Sequence, residues 1–439
     1  MVAAVLLGAV AVAAYGAIFV RVELHSDFLT YHRLATAIAA DGPVDASLSD
    51  SLRPWAYPLL LGAIYRWLGS VVGVAQALNV FLGACAIMLL MLLARRVVQA
   101  EAQLLPLVLF ALWPSQLLYL LLPATEHLAV PCALAAVLLL LRARQSTYAV
   151  PPATCSPREP RESDGHRRGG ARIPCEAAGA GALIAASYVA RPPLILLLPI
   201  GLIMLTGSQG SRLRRASLML ALLSSFLLVD RVYTLHLQRA YEITLARSGM
   251  YNLMMGTNTA SGGHWNKTDA RAALSQGSVA ALNEHARRVA IQRVSDDPAG
   301  FVMLAIRKTL EMWGRSMYGA SWTVARTALL SPGQLGFVYG ACHGFHWVVL
   351  SLAAVGCVAV ARWPPSRAAA PLTWVVLGGM AVHAISEAND RYQHVFMPFL
   401  FLLAAAGVAW FSTLIRNDAR QRQQTPLAGP CRVPEAGGS

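Results

Sequence analysis

The chain has 439 residues, of which 56% are hydrophobic and 13% charged, with a mean hydropathy of +0.50 and a formal net charge of +14. Soluble globular proteins carry about 25% charged residues, so a soluble multidomain architecture is excluded and a polytopic membrane protein is expected. The basic excess does not call for a nucleic-acid partner, because in such a protein the positive side chains are first divided between the two sides of a bilayer.

Apolar runs long enough to span, or nearly so, fall at 2–20, 70–94, 103–122, 127–141, 177–190, 193–206, 216–230, 336–361, 370–386 and 393–415. They predict an all-α polytopic membrane protein with about ten transmembrane helices, several short or proline-interrupted, plus amphipathic interfacial helices in the outer loops. The first run has no basic stretch before it and no small-residue cleavage site before His25, so it reads as a retained helix. Arginine clusters at 95–96, 142–144, 212–215, 362–367 and 416–422 all fall on one side, which makes that side cytoplasmic. The cytoplasmic segments hold 18 Lys and Arg against 7 Asp and Glu, and the remainder 18 against 15. A basic inner face suits anionic lipid; the acids, and with them the chemistry, are expected outside.

Four regions follow. Residues 1–230 form an N-terminal transmembrane module containing a first outer loop, 21–69, and a basic cytoplasmic linker, 143–176. Residues 231–335 form an outer-face loop, 336–415 the C-terminal transmembrane helices, and 416–439 a disordered cytoplasmic tail. The linker is expected to be flexible from its prolines at 151, 152, 157 and 160 and the Gly169-Gly170 pair. In the outer loop, Ser278–Ser295 and Ala299–Tyr318 show helical periodicity, the second with Arg307, Lys308, Glu311 and Arg315 on its polar face. All seven cysteines lie in membrane or cytoplasmic stretches, so no disulfide framework is expected in the outer loops.

Short polar clusters punctuate the outer helix ends: Asp27 after the first run, Thr125-Glu126-His127, Arg191-Pro-Pro, and Glu387-Ala-Asn-Asp-Arg391-Tyr392. An acid at a membrane boundary is costly without a task or a partner; the plain alternative for Asp27 is the N-cap of a helix over 28–40. A carboxylate can take a proton from a hydroxyl nucleophile, and arginines can hold a phosphate and the charge it gains on leaving. Histidines 25, 32, 127, 264, 343 and 346 are candidate metal ligands or ordinary hydrogen-bonding groups, none with the spacing of a metal motif. The glycine- and asparagine-rich stretch 249–265 has neither P-loop nor dinucleotide spacing.

The order of these pieces resembles the GT-C superfamily of membrane glycosyltransferases, most of all the glycosyltransferase family 39-like group of protein O-mannosyltransferases and the aminoarabinose transferase of lipid A. The resemblance rests on Asp27 with Tyr31 and Ala35, Arg53 to Pro58, Gly69 and Asn79, Trp113-Pro-Ser with Glu126, Arg191-Pro192, Tyr251 to Gly263, Asp297-Pro298 with Lys308 and Trp313, and Arg391-Tyr392 with Pro398. It implies transfer of a sugar from a polyprenyl-phosphate-linked donor to a glycan, lipid or protein acceptor, at the outer face of a bacterial inner membrane. Asp27 would be the general base and Glu126 the second acidic position. Extrapolating from position and charge, Arg191 and Arg391 would bind the donor phosphate with Tyr392 beside them; the resemblance makes Tyr31, Arg53 and Tyr57 the expected substrate-binding residues. A single acid stands where the group has an adjacent acidic pair, so no metal ligand is assigned and a divalent cation is left open as cofactor. The alternatives are an oligosaccharide polymerase or ligase, and a lipid or sugar flippase. The transferase reading requires Asp27, Glu126 and the arginines, dispersed over most of the chain, to gather in one place.

Overall fold

The computed structural model describes residues 22–42, 44, 47–145, 164–208, 211–327 and 329–424. The expected span 2–20, the centre of the linker and the end of the tail lie outside them. Among the described residues all regular structure is helical. The region between 22 and 69 holds α1 (Ser26–Ala39) and α2 (Ala56–Leu68), followed by the long α3 (Val72–Val97). Then come α4 (Leu105–Leu112), α5 (Pro114–Tyr119), α6 (Glu126–Gln145), α7 (Asp164–Ala190), α8 (Leu197–Thr206) and α9 (Arg212–Tyr241). The 231–335 region contributes α10 (Gly249–Gly256), α11 (Lys267–Leu274), α12 (Val279–Asp296), α13 (Pro298–Gly314) and α14 (Tyr318–Trp322). The chain closes with α15 (Pro332–Arg362), α16 (Ala370–Ile385) and α17 (Met397–Gln424).

Among the described residues six helical stretches are long and apolar enough to cross a membrane: 72–97, 126–144, 212–241, 332–362, 364–385 and 397–418. The run expected at 103–122 is broken, and proline is the reason. Pro114 has no N–H to donate and drives Trp113 before it into an extended conformation (φ −67°, ψ 105°), so the chain turns between α4 and α5. Pro192-Pro193 likewise open a one-turn 3-10 segment ahead of the short α8. In the opposite direction, α7 begins at Asp164, inside the stretch read as linker, and α17 continues past 415.

The centre of the bundle is α17, where every side chain from Phe399 to Ala406 is buried. Lipid offers apolar helices no hydrophobic reason to associate, so small residues that let backbones approach carry the packing. A Cβ on Gly356 would lie 1.9 Å from the Leu403 carbonyl oxygen of α17, and one on Gly181 of α7 would lie 2.1 Å from that of Leu222 in α9. The chain therefore admits only glycine at these crossings.

Two buried polar clamps fix the outer segments. Asn79 of α3 accepts from the Tyr57 hydroxyl (2.7 Å) and donates to the carbonyls of Leu120 (2.9 Å) and Leu122 (2.8 Å). It thus holds the turn that leads into Glu126. Lys308, expected on the polar face of its helix, is instead fully buried. Its ammonium donates to the carbonyls of Gly256 (2.6 Å) and Ser386 (2.9 Å), which end α10 and follow α16. Two helix C-termini offer free carbonyls and negative dipole ends, and one cation serves both. Gly263 (φ +74°) makes room, since a Cβ there would meet Lys308 Cδ at 2.2 Å. Burial pushes the Lys308 pKa down to about 8.

The Asn79 clamp is directly testable. Asn79→Ala leaves a phenol and two carbonyls unpaired in the interior, an expected loss of roughly 2–4 kcal/mol. Thermal unfolding of the purified protein in detergent should show it as a lowered midpoint, while Asn79→Asp should fail to restore stability because it cannot donate to the two carbonyls.

Candidate active site

The cap position of α1 is His25, and Asp27 stands inside the first turn with its carboxylate turned to two guanidiniums. Arg53 donates to Oδ1 through Nη1, and Arg391 donates to Oδ2 through its own Nη1 (2.9 Å). Arg391 goes on to Glu126, with Nε on Oε1 (2.5 Å) and Nη2 on Oε2 (3.3 Å). Arg191 donates to the same Oε1 through Nη2, and Thr125 Oγ1 donates to Oε2 (3.2 Å). Asp50 stands 3.6 Å from Arg53 Nε, at the margin. Residues 27, 53, 126, 191 and 391 thus form one chain of charges, three guanidiniums to two carboxylates.

Exposure divides it. The side chain of Asp27 is 35% exposed and that of Arg53 24%, against 12% for Arg191, 6% for Arg391 and 1% for Glu126. Glu126 is sealed and spent on its partners; of the two acids, Asp27 is the one with an exposed side. Burial alone would raise the Asp27 pKa, but Arg391 and then Arg53 outweigh it and hold the carboxyl below its ordinary value. Burial opposes the Arg391 charge, yet Glu126 with Asp27 keeps its pKa well above the usual guanidinium range.

The rest of the pocket is aromatic. The Arg391 guanidinium lies 5.1 Å from the ring centre of Phe28 and 5.6 Å from that of Tyr318, and Arg191 lies 5.3 Å from that of Tyr392. Tyr392 stacks on His383, ring centres 4.9 Å apart. The Arg391 segment is fixed residue by residue. Glu387 N donates to the Asn252 carbonyl (2.8 Å), Asp390 Oδ2 accepts from Met317 N (3.2 Å), and Asn389 Oδ1 accepts from Arg391 N (3.1 Å). The glycine-rich stretch read from sequence as a turn-rich loop is, in part, α10, whose Asn252 carbonyl is one of these supports.

Of the residues singled out by sequence, Tyr31 is buried beside the network, where burial and then Asp27 push its pKa up to about 12. Tyr57 stands apart: fully buried, it is spent on Asn79. Sequence reasoning missed Phe28 and Tyr318, which carry no signal distinct from other aromatics, and the ion pair of Asp230 with Arg247, Nη2 to Oδ2 at 2.8 Å. That pair had a signal, an acid at the end of the apolar run 216–230. Among the described residues no three His, Cys, Asp or Glu side chains come together as a metal site. Each oxygen of Asp27 accepts from one arginine in this structure. Of the candidate histidines, His127, His264 and His346 bond backbone carbonyls.

No protein-family model and no curated protein matches the sequence. Solved structures do match. The oligosaccharyltransferase AglB from Archaeoglobus fulgidus, in complex with an inhibitory peptide and a dolichol-phosphate, superposes with a TM-score of 0.55 at 12% identity, over 96% of this chain and 52% of that one. The apo form of the oligosaccharyltransferase from the same organism gives 0.53 at 13% identity, over 96% and 52%. The fold is GT-C. ArnT from Cupriavidus metallidurans, bound to undecaprenyl phosphate, aligns over 96% of this chain and 80% of its own at 12% identity with a TM-score of 0.38. The chain spans about half the length of the oligosaccharyltransferase chains that share its fold.

Exposure separates the two acids. Glu126→Gln leaves two arginines facing a neutral group in the interior and should cost about 3 kcal/mol or more. Asp27→Asn leaves Arg391 paired with Glu126 and should move the unfolding midpoint far less. Thermal unfolding of both variants in one detergent decides this, and equal losses would mean that Asp27 is as structural as Glu126.

Proposed function

We propose that the protein is a membrane glycosyltransferase that moves a sugar from a polyprenyl-phosphate-linked donor to an acceptor hydroxyl at the outer face of the membrane. One observation carries the reading: the partly exposed carboxylate of Asp27 is joined through Arg391 to a sealed carboxylate, in a fold shared with an oligosaccharyltransferase. In this reading Asp27 accepts the acceptor's hydroxyl proton as that oxygen attacks the anomeric carbon. The bond from the anomeric carbon to the phosphate oxygen breaks with its electron pair on the phosphate, and the configuration inverts. Polyprenyl phosphate leaves, the sugar is carried by the acceptor, and the proton stays on Asp27 until solvent takes it.

Arg53 and Arg191 receive the phosphate and the charge it gains. Arg391, first read as a phosphate ligand, is here a positioning residue, because all three of its guanidinium nitrogens are engaged by Asp27 and Glu126. Glu126 is likewise a positioning residue; it holds Arg391 and Arg191 and does not itself reach substrate. Tyr31 and Tyr392 shape the wall behind them.

Purified protein supplied with polyprenyl-phosphate sugars and a mixed acceptor extract should transfer sugar, and Asp27→Asn should lose at least about a hundredfold of that rate, the low end of what a positioned base supplies. Near-normal transfer by the variant would remove Asp27 from the mechanism. Because the arginines hold the Asp27 carboxyl below its ordinary range, it is already ionised at pH 5. The rate should therefore show no acid limb from Asp27 between about pH 5 and 8, whereas a base with an unshifted or raised pKa would begin to lose activity toward the lower end.

A further inference from the structure

Helix α13 carries apolar side chains on two opposite sides. Leu304 and Met312 are buried on the side of Lys308, which is itself sealed. Val302, Met303, Ile306 and Leu310 point the other way and remain between 50% and 68% exposed. At 3.6 residues per turn these four share one stripe, about half a turn round the helix from Lys308. A helix that hides its lysine and presents a row of aliphatic side chains is turned the wrong way for water.

The place of α13 in the fold says what meets the stripe. Its last turn is fastened to the spans: His346 of α15 bonds the Trp313 carbonyl (2.7 Å), and the Trp313 ring centre stands 6.3 Å from that of Phe396, just ahead of α17. Lys308 bonds the Ser386 carbonyl just past the end of α16. One membrane-crossing stretch ends at 385 and the next begins at 397, so α13 lies where two spans emerge. It packs against α16, whose exposed Trp374, Leu377 and Ile385 lie along one side as a lipid-facing surface. The stripe extends that surface at the membrane boundary. Arg307 borders it, exposed, where a snorkelling side chain reaches headgroups.

We propose that α13 lies at the membrane boundary with its stripe on phospholipid acyl chains, and that the bilayer thereby holds in place the segment that bears Arg391. Lys308 is the main link. From the side of α13 turned away from lipid, its ammonium reaches the carbonyls of Gly256 and Ser386. A second link runs through Glu311, which bonds the His264 ring (3.1 Å), and that ring bonds the Ala388 carbonyl (2.8 Å). Both links end a few residues before Arg391. A shift of α13 out of the leaflet therefore moves the frame of the charge network, whatever reaction that network serves. The four stripe side chains offer no hydrogen-bonding group, so acyl chains are the partner they fit. A second copy of the chain would meet the same apolar chemistry, and the test tells the two apart.

Benzoylphenylalanine in place of Ile306 or Leu310, photolysed in the full chain in phosphatidylcholine vesicles, should yield phospholipid adducts by mass spectrometry. The same photoprobe in place of Arg287, exposed on α12, should yield none. Absence of lipid adducts at both stripe positions would overturn the proposal, as would crosslinked dimers there in their stead or an equal adduct yield at Arg287. The link to the Arg391 segment is read by hydrogen exchange in the same vesicles. Ile306→Asp should speed exchange across residues 252–257 and 386–391 by at least about tenfold, the worth of burying one aliphatic side chain, while the buried centre of α17 keeps its protection. Ile306→Ser, uncharged, should act the same way in smaller measure and serves if the aspartate variant loosens the whole bundle. Unchanged exchange of both segments in both variants would sink the coupling.

Discussion

The structure depends on how one buried carboxylate is compensated. Glu126 lies at the first position of α6, with no water to solvate it, and such a charge is tolerated only when partnered and fully hydrogen-bonded. Its partners come from far along the chain, Arg191 at the end of α7 and Arg391 in the turn before α17. Meeting that need joins three helical elements at one end of the bundle. The other end is tied separately, by Arg416 of α17 on Glu101 (3.1 Å), about 28 Å away along the helix at 1.5 Å per residue. With Arg391 fixed on Glu126, its remaining nitrogen is left at the height of Asp27. The placement of the exposed acid is in this sense a consequence of sealing the buried one.

The supports behind the network follow the same logic. Every helix end near it leaves carbonyls or N–H groups that lipid cannot satisfy, and the chain spends buried polar side chains on them. Asn79 takes the carbonyls of the turn before Glu126, and Lys308 takes those that end α10 and follow α16. Each joins an element remote in sequence to the segment that aims a member of the network. These residues touch no part of the exposed end, yet a shift in either would displace Glu126 or the 386–391 segment that bears Arg391.

Much of this was legible in the sequence for a simple reason: charges are rare in a chain of this composition, and those at the ends of apolar runs must go somewhere. That argument reaches Asp27, Glu126, Arg191 and Arg391 without any structure, and the structure brings all four together. It cannot tell a working carboxylate from a structural one, since burial is decided by neighbours distant in sequence. It also put Lys308 on the wrong face, because periodicity reads a lysine as solvent-seeking and does not see two helix ends waiting for a cation. Tyr57 came from the resemblance over Arg53 to Pro58, which does not show that its hydroxyl is bonded to Asn79. Proline breaks inside apolar runs were visible residue by residue, but hydropathy averaged over a window smooths them away, and so 103–122 read as one helix.

Asp27 and Glu126 are chemically alike, share Arg391 and stand in the same network, so any difference in what they do has to come from environment. Glu126 is pinned by two arginines and a threonine with no exposed face; giving up a partner would strand a charge in the interior. Asp27 has an exposed side, and its two oxygens, each accepting from one arginine, keep lone-pair capacity for a further donor. Proton acceptance demands a carboxylate that an incoming hydroxyl can reach while its counter-ions stay in place. Of the two acids in this fold only Asp27 meets that demand, and it meets it because the other acid does not.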